Sequence, residues 1–76
     1  MNKERRKSLQ DITEQLELLK EEIDALRDEE QGAFDNLPEG IQASERGEAM
    51  EEAISNLEDA VSSMEEVIGS IEAAVE

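Results

Sequence analysis

In 76 residues the chain carries 22 acidic and 7 basic side chains, a net charge of -15, with Phe34 as its single aromatic residue and neither cysteine nor histidine. That composition excludes disulfides and metal sites built from thiolate or imidazole, and with neither histidine nor cysteine, no phosphate or EF-hand loop and no nucleophile-base pair in the sequence, no enzymatic activity and no cofactor are expected. There is room for one domain, residues 1–76, and a chain this short buries little of its surface unless a second subunit helps.

The chain opens on its one basic cluster, Lys3, Arg5, Arg6 and Lys7. Such a cluster can meet phosphates or anionic lipid, but with no aromatic residue beside it direct nucleic-acid binding is not expected. No apolar core follows that would make a signal peptide, and no run approaches the roughly 20 apolar residues of a membrane span. A cytoplasmic location, with no membrane partner, is the resulting expectation.

Leu9, Ile12, Leu16, Leu19, Ile23 and Leu26 then recur at alternating steps of three and four. This is a heptad seam, with Leu9, Leu16 and Ile23 at position a and Ile12, Leu19 and Leu26 at position d. It predicts a helix over about residues 3–34, and its organised apolar face separates the chain from disordered sequences of similar charge. Leu18 and Ala25 lie off the seam as a small additional apolar strip.

The segment from Asp35 to Gly40 breaks the pattern. Pro38 cannot donate a backbone hydrogen bond and disfavours helical geometry at Leu37, so a turn is predicted over about residues 35–44. Pro38 suits the first position of a short helical turn through Ile41, Ser44 is the expected N-cap of the next helix, and Gly47 reads as a weak point early within it.

From about residue 45 to residue 75 the heptad resumes, with Ile54, Val61, Ile68 and Val75 at a and Met50, Leu57, Met64 and Ile71 at d. The methionines at these positions read as core. A third line, Ala53, Ala60, Val67 and Ala74, follows at g, which makes the apolar face wider than one partner helix needs. Glu51, Glu58, Glu65 and Glu72 bound it at e.

Folding the helices back on each other in antiparallel register sets Leu9 opposite Ile71, Leu16 opposite Met64 and Ile23 opposite Leu57. The same register brings Arg6, Lys20 and Arg27 towards Glu72, Glu58 and Glu51, and sets the basic cluster beside Glu72 and Glu76. The predicted fold is all-α: a two-helix antiparallel hairpin that assembles into a coiled-coil-like homodimeric four-helix bundle. The expected subunit interface is Ala53, Leu57, Ala60, Val61, Met64, Val67, Ile71 and Ala74, with three-helix and tetrameric assemblies as the alternatives.

Residues 8–76 hold 21 acidic and three basic side chains, so the rod displays a carboxylate density comparable to that of nucleic acid. The row Glu51, Glu58, Glu65 and Glu72 is therefore a candidate surface for a basic partner, weighed against an ordinary solvated helix face. Adjacent acids such as Glu21 and Glu22 do not converge on one point from several helices, and no metal site is expected from them.

The stretches Asp28–Gln31 (DEEQ), Asn36–Glu39 (NLPE), Ser44–Glu48 (SERGE) and Glu51–Ile54 (EEAI) resemble a group of short acidic helical proteins of Gram-positive bacteria and their phages. The resemblance covers about the central and C-terminal two-thirds of the chain. It implies a setting, a phage or prophage accessory protein, in which inhibition of a host defence protein is a natural role; it carries over no functional residue. It also makes the turn, at Leu37, Pro38 and Arg46, a candidate contact. Two functions are thus expected: a self-associating module acting by protein-protein contact with itself and a host or phage protein, or a nucleic-acid-mimicking inhibitor of a host nuclease or defence protein.

Overall fold

A computed structural model describes residues 1–76 as an extended, elongated helix pair that is 89% helical and contains no strand. Helix α1 spans Lys3–Asp35, a short α2 spans Glu39–Gln42, and α3 spans Glu45–Val75. The 33 residues of α1 rise about 50 Å at 1.5 Å each, and the molecule measures 58 × 15 × 12 Å. Only a chain that folds its long helices back on each other fits that rod.

α1 starts at Asn2, whose side-chain carbonyl accepts the Arg5 backbone N–H at 2.8 Å and so satisfies one of the first turn's free donors. It ends ahead of Pro38, where the N–H groups of Asn36 and Leu37 fall back on the carbonyls of Gly32 and Phe34. The reversal contains no residue with positive φ.

Two details of the connection differ from the sequence expectation. Pro38 stands just before α2, with φ -57° and ψ 146°, and its carbonyl accepts from Ile41 and Gln42. Ser44 occupies the expected N-cap position of α3, its carbonyl accepting from Glu48 at 2.9 Å, but its hydroxyl does not cap the helix; it turns back and donates to the Ile41 carbonyl, closing α2. A hydroxyl can serve one end or the other, and the tight α2 turn takes it.

Gly47 is buried, because α2 folds directly against the start of α3. A Cβ at this position would lie 2.0 Å from the Gln42 carbonyl oxygen and 2.5 Å from its carbon. The Gln42 side chain reaches the other way, its amide donating to the Phe34 carbonyl at 3.0 Å. Gln42 therefore ties the end of α1 to the start of α3, and the glycine that helix propensity marks as weak is what lets the backbones meet.

The core is thin. Ile54 and Ile68, both at a, are the only buried apolar side chains, at 5% and 3% exposure. Val61, Leu57, Met64, Met50, Ile71 and Val75 are half-buried beside them.

Against this seam α1 is turned from its predicted orientation. Its inward, half-buried residues are Leu9, Leu16, Ile23 and Glu30 at a with Thr13, Lys20, Arg27 and Phe34 at e. The d residues Ile12, Leu19 and Leu26 face outward, 43%, 50% and 59% exposed. The e line brings the one aromatic ring into the hairpin, and the stems of Lys20 and Arg27 can cover apolar surface while their charged ends reach carboxylates at the rim.

The register is also displaced by a heptad. Lys20 meets Glu65 at 3.8 Å rather than Glu58, and Arg27 is influenced by Glu58 rather than Glu51. The first turn of α3 is occupied by α2, so α1 meets α3 one heptad further along. The basic cluster Lys3 to Lys7 accordingly makes no salt bridge with Glu72 or Glu76.

Candidate interaction surface

Three surfaces follow from this packing. The first is apolar and runs along the rod. Residues seven apart on a helix stack along one line, so Ile12, Leu19 and Leu26 form a stripe on α1, while Leu18, 63% exposed, points away from the hairpin. On α3 the g line has Ala53 and Ala60 half-buried, Val67 half exposed and Ala74 exposed.

The two lines border the same side of the hairpin. In an antiparallel pair the e positions of both helices lie on one flank, where Lys20 reaches Glu65, and the d and g positions lie on the other. A single chain thus leaves one long flank apolar and uncovered.

Of the expected interface residues, Leu57, Val61, Met64 and Ile71 take part in the hairpin's own seam, Ala53 and Ala60 sit at its edge, and Val67 and Ala74 are exposed. Ile12, Leu19 and Leu26 are the residues that sequence reasoning assigned to the wrong contact. Their signal was present in the heptad, but it does not say which of two apolar lines an antiparallel neighbour will cover.

The second surface is the acidic row. Glu51, Glu58, Glu65 and Glu72 are all exposed, about 10 Å apart along the helix axis. Of these only Glu65 has a basic partner, Lys20, which is held more closely by Glu17 at 3.1 Å. Arg27 binds Asp24 at 3.1 Å and Asp28 at 2.9 Å, while its buried Nε has no partner.

The Lys20 ammonium is held above its ordinary value chiefly by the hydrogen bond it donates to Glu17, against partial desolvation. The Arg27 guanidinium is likewise raised by the bond it donates to Asp24. A raised pKa in the folded chain means that the Lys20 contribution is complete at neutral pH and is lost only when the pH climbs past the lysine range. These exposed pairs steer register more than they stabilise it.

The third surface is the turn. Leu37 is half-buried, Pro38 and Arg46 are exposed, and Arg46 makes no salt bridge. No group of three acidic side chains is placed to hold a metal ion, and no helix is long and apolar enough to cross a membrane. The one depression in the surface, beside Met1, Glu4, Arg5, Ser8 and Leu9, lies along the start of α1.

Comparison with protein-family models, curated proteins and solved structures finds no match. The residues themselves must therefore carry the functional reading.

Proposed function

We propose that the protein is a non-enzymatic, self-associating acidic helical module, a homodimeric four-helix bundle that acts by protein-protein contact. The observation that carries this is the uncovered stripe of Ile12, Leu19 and Leu26 on a chain whose own core consists of Ile54 and Ile68. Leaving that stripe in water forgoes the main favourable term in folding, and a second subunit supplies the missing cover. The resemblance at residues 28–54 gives the proposed setting, a phage or prophage accessory protein meeting a host protein.

Ultracentrifugation together with thermal melts followed by circular dichroism tests this. The wild-type chain is expected at twice its monomer mass, with a melting temperature that rises over a hundredfold increase in concentration. Leu19→Glu places a charge in the stripe and should weaken association at least a hundredfold, about 3 kcal/mol, because the buried charge is unpaired. A wild-type monomer with a concentration-independent melt would refute the reading.

A second reading is supported by the exposed glutamate row: the assembled rod competes with nucleic acid for a basic host protein. Binding to such a protein should then fall steeply between 50 mM and 500 mM salt. Changing Glu51, Glu58, Glu65 and Glu72 together to Gln should weaken it at least tenfold while helix content is kept. Unchanged affinity in a folded quadruple variant would eliminate this inhibitor role.

A further inference from the structure

We propose that the partner covering the apolar flank is a second copy running in the opposite direction, related by a two-fold axis perpendicular to the rod at the level of Leu19 and Val67. The proposal rests on the self-association reading above and specifies its geometry.

Two independent features point to it. The Lys20 contact with Glu65 sets Leu18 and Leu19 level with Val67. Leu18, Leu19 and Val67 are themselves 63%, 50% and 50% exposed. On α1 the stripe extends one heptad either side of Leu19, to Ile12 and Leu26; on α3 it extends one heptad either side of Val67, to Ala60 and Ala74. A perpendicular two-fold at that level maps each stripe onto itself, so Ile12 meets the second copy's Leu26, Leu19 meets its own equivalent, and the small residues of α3 allow the two α3 helices to approach closely.

Charge selects the same direction. Lys3, Arg5, Arg6 and Lys7 make no salt bridge within the chain, whereas residues 28–39 at the opposite end hold five acidic and no basic side chains. Opposed copies set each basic end beside an acidic end. A two-fold axis along the rod would instead gather both basic clusters at one end and both acidic turns at the other, which is repulsive at each.

The absence of cysteine allows a single label. Glu4→Cys, at an exposed site with no ion pair, carries a nitroxide whose distance to its equivalent is read by pulsed electron resonance on the full chain, with mass measured on the same sample. Opposed copies place the labels about 45 Å apart along the axis, from the helical rise of 1.5 Å per residue. A dimer with labels closer than about 25 Å, two helix diameters, would overturn the proposed direction and leave self-association standing. A monomer at every concentration would overturn both.

Discussion

Ile68→Asp is expected to abolish the cooperative fold. Ile68 is the most buried apolar side chain, 3% exposed, and sits on the seam of α3 seven residues before its end at Val75. No basic group lies paired and waiting in that seam, since Lys20 and Arg27 already hold Glu17, Asp24 and Asp28. An unpaired carboxylate there costs about 4 kcal/mol or more, comparable with the whole stability of a small domain. Circular dichroism at 25 °C should show most of the helical signal lost. Ile68→Ala, which only removes buried methyl groups, should cost about 2–4 kcal/mol and lower the melting temperature while keeping the fold. If Ile68→Asp melts as the wild type does, α1 and α3 do not pair through Ile68.

The second large effect concerns glycine, and two substitutions of the same kind should move stability in opposite directions. Gly69→Ala meets nothing within 4 Å on an exposed part of α3, so the better helix former should stabilise by about 0.5–1 kcal/mol. Gly47→Ala has the same gain in propensity, but its Cβ would sit 2.0 Å from the Gln42 carbonyl oxygen. The obstacle is backbone, not the flexible end of a side chain, so α2 must move off α3. The hydrogen bond from Gln42 to Phe34 would then be lost as well. A net loss of about 2–3 kcal/mol follows from steric displacement and the broken bond, measured by urea unfolding of the two variants side by side. Stabilisation by Gly47→Ala would show that α2 does not pack against α3 in this way.

Each effect bears on function through the shape of the rod. The turn held by Gly47 and Gln42 sets how far α3 runs past the end of α1, and so which heptads face each other. That register in turn sets Leu19 level with Val67 and so fixes how the stripes of α1 and α3 line up along the open flank. Shifting it by one heptad would still pair apolar layers, but it would displace the stripes of α1 and α3 relative to each other along that flank.

Raising ionic strength should stabilise the chain, in contrast to a fold held by salt bridges. A net charge of -15 on 76 residues is self-repulsive at low salt, and the few exposed ion pairs contribute little each, so screening the repulsion outweighs weakening the pairs.

The helical content, the break ahead of Pro38 and the pairing of two long helices were all legible in the residues. Steps of three and four admit only helices, proline ends a helix for steric reasons, and an apolar seam seeks another seam. The candidate surface was legible only as a set of lines. The sequence shows that α1 has apolar residues at a and d and that α3 adds a third line at g, more than a single pair of helices can cover. It does not show which line stays outside. Ile12, Leu19 and Leu26 are left uncovered because the neighbouring line, with Phe34 and the stems of Lys20 and Arg27, turns inward in their place. Heptad register was equally hidden, because repeating layers are nearly equivalent in energy when slid by seven residues. One close backbone contact, Gly47 against Gln42, lifts that degeneracy, and it exists only once α2 and α3 have met in space.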